Sequence, residues 1–310
     1  MPLLEEEEPA GGLAEISPSP VDESLPSKST SSSYFPPSSW TFTSSSNSRS
    51  HSTTSRPGLF SAHTLGLVHK YATWAPSLFL SVHYFNTCVV PLATQSVSSA
   101  DDLLLLTRPF YQSSMAVEAL LIGVPVGLHV ASGLALRMHR RRVSLRRHGA
   151  SGKDSNYAER RALPWPKLSP QSALGYALVP LLVGHVYINR IHPLRVEGGS
   201  SGVGLRFVAH GFAKHPLLAT LGYAALVLVG TWHVVGGWLR WLRLDDAAVT
   251  DVVERRRRSW WARGVSALVA AAWMVGGLGV IGRGGRGSGW EAKGWDRLYR
   301  SVPLFGVWLS

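Results

Sequence analysis

From about residue 66 onward, apolar residues gather into five long runs separated by polar or basic stretches, whereas the first 60 residues contain no such run. A helix that crosses a bilayer needs roughly 17 to 25 mostly apolar residues. The runs at 66–93, 115–136, 171–189, 216–239 and 264–282 meet that length. The first carries Lys70 near its start and Pro76 inside it, the second has Glu118 as its one charge, and the other three are uncharged. The pattern predicts an all-α fold, a polytopic transmembrane helical bundle of about five spans over residues 61–300 with a disordered N-terminal tail over 1–60. A short C-terminal tail is expected over 283–310.

The tail prediction rests on composition. An acidic start at Glu5 to Glu8 leads into Pro- and Ser-rich sequence and then a Ser/Thr tract from Ser27 to Ser55. Such a segment buries too little apolar area to offset its ordering entropy. It lacks the basic and then apolar regions of a secretory signal, and it is too acidic at its start for a mitochondrial presequence. Targeting is therefore expected to reside in the membrane segments.

Charge sets the expected orientation. Of the 310 residues, 31 are Lys or Arg and 19 are Asp or Glu, and the excess of +12 concentrates in two loops. One holds Arg140 to Arg142, Arg146, Arg147, Lys153, Arg160, Arg161 and Lys167; the other holds Arg240, Arg243 and Arg255 to Arg258. Basic loops beside apolar runs fit an anionic cytoplasmic leaflet rather than nucleic acid. With five spans and these loops inside, the N-terminus is cytosolic. Trp260, Trp261 and Trp308 match an interfacial aromatic belt.

Five histidines, His69, His83, His129, His185 and His233, lie inside the apolar runs. An ionisable ring in hydrocarbon is costly and usually faces a partner in the bundle interior. Alternating span direction sorts them by depth. His129 and His233 fall roughly 10 Å below the cytosolic boundary, with His69 shallower on that side. His83 and His185 belong to the other half. Two layers of inward histidines match the axial ligands of a b-type haem; a polar network that needs no metal, with Asn86 and Asn189 one turn from His83 and His185, is the simpler alternative.

Other patterns carry less. Gly277-Leu-Gly279-Val-Ile-Gly282 fits a dinucleotide fingerprint but has neither strand nor βαβ unit around it. Gly123 and Gly127 are spaced for close helix packing. The single cysteine, Cys88, excludes a disulfide framework, and no catalytic constellation is found, so the chain is not expected to be an enzyme.

His69-Lys70-Tyr71, His83-Tyr84-Phe85-Asn86 and His129-Val-Ala-Ser132-Gly133 with Leu136-Arg137 resemble the fungal Mdm-complementing (Mcp) proteins of the mitochondrial outer membrane, as do Gly184-His185 and His233-Val-Val-Gly236-Gly237. The likeness covers roughly residues 60 to 300. The H-x-x-S-G segment is also similar to the membrane anchor of succinate dehydrogenase, whose helices hold a b haem. The Mcp resemblance implies an outer-membrane adaptor in lipid homeostasis, in contact with membrane lipids, that recruits a bridge-like lipid-transfer protein. In that family recruitment uses a proline-x-proline motif in the cytosolic tail, which Leu13-Ala-Glu-Ile16-Ser-Pro18-Ser-Pro20 resembles. Proline pre-sets an extended backbone, and Leu13 and Ile16 supply apolar anchors. The resemblance to the anchor subunit implies, as the alternative, a b-type haem-binding membrane protein.

Overall fold

The computed structural model describes residues 61–148 and 157–303. The tail motif with Leu13, Ile16, Pro18 and Pro20 lies outside these residues. Ser61 opens the first helix, α1 (Ala62–Tyr71), its hydroxyl accepting the Thr64 N–H at 3.1 Å. The helix breaks at Ala72 and Thr73 and resumes as α2 (Trp74–Tyr84). Pro76 accounts for the break, because a proline ring clashes with the carbonyl four residues back, here that of Ala72. α2 runs on through a π-helical turn (Phe85–Val89) into α3 (Val90–Thr94). After α4 (Val97–Thr107) and α5 (Pro109–Gln112), the second long run is α6 (Met115–Glu118), a π turn (Ala119–Gly123) and α7 (Val124–Arg147). A short α8 (Tyr157–Ala162) precedes α9 (Pro170–Val186), a π turn (Tyr187–Ile191) and α10 (His192–Glu197). Then come α11 (Leu205–Lys214), α12 (Pro216–Trp241), α13 (Val252–Trp273) with a fourth π stretch (Met274–Ile281), and α14 (Gly289–Arg300).

The first three π turns have one cause. Pro91, Pro125 and Pro193 each stand two residues beyond the turn's last residue. Their missing N–H groups and ring clashes displace the ladder upstream, and the helix absorbs this as a wider turn instead of ending. The fourth has no proline but three glycines. A Cβ on Gly276 would sit 2.3 Å from the Cys88 carbonyl, so the backbones of the first and fourth π segments touch there. Gly277 of the Gly277-x-Gly279-x-x-Gly282 pattern shares this contact, a Cβ there lying 3.0 Å from the Thr87 carbonyl. Gly123 and Gly127 do not play the packing role expected from their spacing, since a Cβ on either would meet open space.

Among the described residues, four helical runs are long and apolar enough to cross a membrane: Met115–Arg147, Pro170–Glu197, Pro216–Ala248 and Val252–Ile281. Each extends past the boundary expected from apolar residues alone, because helix continues into the basic and interfacial flanks. The stretch expected as a fifth span, 66–93, contains a helix break, α1 being followed by the continuous run from Trp74 to Thr94, and it packs into the same bundle. α1 lies along α7, α9 along α12, and α12 along α13. Few span residues are buried, and Leu78, Leu120, Val183, Leu221 and Leu268 are among many large apolar side chains left outward. For a chain in water this would be a defect; in lipid it is the expected outer surface.

The densest core lies at one end, under the short amphipathic helices. Phe207 of α11 stacks on Tyr299 of α14 with ring centres 4.5 Å apart, and Val203, Trp295, Leu298 and Val302 close around them. α4 joins through Ala100 and Leu104 against Leu205 and Ala209. The buried Asp101 carboxylate accepts the Leu205 N–H at 2.5 Å, and burial pushes its carboxyl above the usual range. The segment expected to be a short C-terminal tail thus contains α14, which helps build this cap. Next to it, Arg190 pairs with Glu118, joining the second and third long runs, while Arg108 donates to the carbonyls of Ser200 and Val203.

Asp296 ties the cap electrostatically. It accepts from Lys214 Nζ at 2.7 Å and from His210 Nε2 at 2.9 Å, and these bonds, Lys214's first, hold its carboxyl below the usual range. A lowered folded value means a contribution that is present above the ordinary carboxylate range and lost as pH falls through the lowered value. Asp296→Asn is therefore expected to lower the thermal midpoint near pH 7, with the deficit shrinking as pH falls through the lowered carboxyl value. Thermal unfolding in detergent at neutral pH and across the acid range measures it.

Candidate functional site

The interior of the bundle is organised by helix-to-helix clamps made from side chain and backbone. His69 on α1 donates Nδ1–H to the His129 carbonyl at 2.9 Å, and His129 on α7 donates its own Nδ1–H to the His69 carbonyl at 2.8 Å. The rings stack with centres 3.9 Å apart and planes 16° from parallel. This approach needs Gly133, where a Cβ would lie 3.0 Å from His69 Cε1. Ser132 completes the knot, its hydroxyl within 3.3 Å of His69 Nδ1 and donating within its own helix to the Leu128 carbonyl at 2.6 Å.

The same clamp occurs between α9 and α12. Gln171 donates Nε2–H to the His233 carbonyl at 2.6 Å, and His233 donates Nδ1–H to the Gln171 carbonyl at 3.2 Å. Glycines again admit the contact: a Cβ on Gly175 would lie 2.8 Å from His233 Cε1, and one on Gly236 would lie 2.7 Å from Gln171 Oε1. The two clamps are equivalent in the chain. Gln171 follows His69 by 102 residues, as His185 follows His83 and Pro193 follows Pro91, while His233 and Gly237 follow His129 and Gly133 by 104. The π turns at 85–89 and 187–191 share the 102-residue offset. Each half of the bundle is a copy of one two-run unit, with Gln171 standing where the first half has a histidine.

The copies bring their histidines together in two layers. His129 and His233 have ring centres 6.1 Å apart with planes at 71°. His83 and His185 also have centres 6.1 Å apart, with planes at 70°. His69 touches the first layer only through His129. In the second layer His83 is surrounded by rings, Phe79 at 5.5 Å and Trp273 at 6.4 Å, and Tyr223 lies 5.8 Å from His185. Asn189 serves this layer, donating to the His185 carbonyl at 2.8 Å and to the Tyr223 hydroxyl at 3.1 Å. Asn86 does not join its neighbour His83; its amide goes to Thr107 Oγ1 at 2.7 Å.

The donor chemistry differs between layers. A carbonyl oxygen can only accept, so His129 and His233 carry hydrogen on Nδ1 and, when neutral, a free lone pair on Nε2. Among the described residues neither Nε2 is engaged in a hydrogen bond. No three His, Cys, Asp or Glu side chains among the described residues cluster in a way that would hold a bare metal ion. Gln171 is the site residue missed from sequence. Its 14-residue spacing to His185, equal to that between His69 and His83, was the available signal.

A family model described as MDM10-complementing protein 1, transmembrane domain, matches residues 78–164 and 180–286. The two matched segments begin 102 residues apart, the offset of the structural repeat. No curated protein and no solved structure matches the chain.

If His69 acts as the counterpart of Gln171, His69→Gln keeps an amide donor at the clamp and is expected to change stability by less than about 1 kcal/mol. His69→Leu removes the donor and the stacked ring and is expected to cost about 1 to 3 kcal/mol. Thermal midpoints of the two variants in the same detergent compare them.

Proposed function

The chain belongs to the MDM10-complementing protein 1 family, and we propose that this polytopic helical membrane protein is an adaptor of the mitochondrial outer membrane that acts in lipid homeostasis. In this reading the bundle anchors the protein and contacts membrane lipids, while the N-terminal segment recruits a bridge-like lipid-transfer protein through Leu13, Ile16, Pro18 and Pro20. The observation that carries it is where the bundle begins. Ser61 and α1 sit beside the half of α7 that runs into Arg140 to Arg142, and Lys70 lies 4.1 Å over the Trp241 ring at the end of α12. The described chain therefore begins at the Arg-rich end of the bundle. Short loops rich in Lys and Arg favour the cytosolic face. With the broken first helix counted as a fifth crossing, the tail and both basic loops share that face.

Two further features support the adaptor reading. Large apolar residues on the bundle exterior suit a lipid-embedded anchor. In addition, the N-terminal segment carries the residue types suited to recruitment. There, Pro18 and Pro20 restrict the backbone to extended conformations before docking, and Leu13 and Ile16 are the side chains able to fill an apolar groove.

Replacing Pro18 and Pro20 together with alanine is expected to reduce recruitment of the lipid-transfer protein to mitochondria at least about tenfold, as an added ordering cost of roughly 1.4 kcal/mol on docking would do. Membrane insertion of the adaptor should not change. Imaging of the tagged partner, alongside carbonate extraction of the adaptor, reads both. Undiminished recruitment would remove the motif from the account.

A further inference from the structure

α14 presents two faces of opposite character. Trp295, Leu298 and Tyr299 are buried in the cap, whereas Trp290, Lys293, Arg297 and Arg300 are exposed. Steps of three, four and three residues place the exposed set within about 80° of one another around the helix. None of the three cations has an ion-pair partner among the described residues. The helix's own carboxylates are committed elsewhere. Glu291 pairs with Arg206 at 3.3 Å, and Asp296 accepts from Lys214 at 2.7 Å and from His210 at 2.9 Å.

Height along the bundle decides what such a face meets. Lys214, which bonds Asp296, stands two residues before Pro216, the first residue of the α12 span. Leu217, the next residue, is 74% exposed, so the lipid-facing surface begins at that level. The middle of α14 therefore stands where acyl chains give way to headgroups, at the end of the bundle opposite the clamps. Trp290 is 83% exposed, which is costly in water but usual for tryptophan at a membrane interface. Lys293, Arg297 and Arg300, with Asp296 and Ser301, line an open cleft of about 460 Å³, a size that small-ligand sites share. Guanidinium groups grip phosphate oxygens through paired N–H donors, and an ammonium adds a compact charge. The one carboxylate in the cleft is offset by the Lys214 ammonium.

We propose that the exposed face of α14 binds the phosphate headgroup of an anionic phospholipid in the leaflet opposite the Arg-rich loops. Lys293, Arg297 and Arg300 hold the phosphate, and Trp290 anchors the same face in the interface. Lys214 is a positioning residue, which holds Asp296 and so fixes α14 at the height of the headgroups. The site gives a lipid class to the membrane contact of the adaptor reading, but it rests only on the bundle being embedded in lipid.

The test uses the full chain, purified in detergent, stripped of lipid and titrated with phosphatidic acid or with phosphatidylcholine of the same acyl chains. Native mass spectrometry counts the bound lipid. Phosphatidic acid is expected to bind at least about tenfold more tightly, and the combined change Lys293→Gln, Arg297→Gln and Arg300→Gln is expected to remove that preference. An equal loss of charge at the other end, Arg146→Gln with Arg147→Gln and Arg256→Gln, is expected to leave the preference within about twofold. Inorganic phosphate at the concentration of the lipid is expected not to displace it. Size-exclusion profile and circular dichroism check that each variant is folded; should the triple α14 variant fail, the three single variants decide. Equal affinity for the two lipids overturns the proposal, as does an undiminished preference in the folded α14 variants. A preference lost with the Arg-rich end instead, or displacement by inorganic phosphate, also overturns it. Because this readout involves neither the tail nor a partner, it fails or succeeds separately from the recruitment test.

Discussion

The bundle depends on a reciprocal bond between a side chain and a backbone carbonyl. In each half, a donor near the start of the first run reaches the carbonyl of a histidine on the second, and that histidine reaches back to the donor's own carbonyl. A helix interior leaves its carbonyls engaged with its own amides, so a second acceptance at His69, His129, Gln171 and His233 is available only where another helix comes very close. Glycines at 133, 175 and 236 permit that approach. In a bilayer, with no water to compete and little hydrophobic force between helices, close packing and hydrogen bonds of this kind set which helices pair and in which register.

From that register the remaining features follow. Pairing of α1 with α7 and of α9 with α12 puts both clamps at the Arg-rich end and leaves the opposite end to be closed by α4, α11 and α14. The closing helices carry the dense aromatic core, around Phe207, Trp295 and Tyr299, that the lipid-facing spans do not need. Duplication explains why histidines meet in pairs: each copy contributes one ring to each layer. It also assigns different work to different histidines, since His69 corresponds to a glutamine in the second copy while His83, His129, His185 and His233 each face another histidine.

The membrane-helical character, the approximate positions of the long runs and the two depth groups of histidines were legible in the sequence, because apolar length and helix rise are local properties. The break at Ala72 and Thr73 was less so, although Pro76 marks it. The repeat was hidden because its equivalent positions differ in type: His69 against Gln171, and Ser132-Gly133 against Gly236-Gly237. The closing helices escaped notice for another reason. They are too short to register as spans, and their apolar faces become meaningful only when α11 and α14 stack. Asn86 likewise finds Thr107 rather than His83 because a shared helix face allows a contact without requiring it. The tail motif is a property of sequence alone, and its role rests on recruitment.

The central claim is that each half of the bundle is held by one reciprocal bond between side chain and backbone carbonyl. A cryo-electron microscopy map of the full chain in a lipid nanodisc tests this most directly. The expected map has the His69 and His129 rings stacked, each against the other's carbonyl, and Gln171 and His233 against one another's carbonyls. A map in which these side chains turn away from the opposing carbonyls would contradict it.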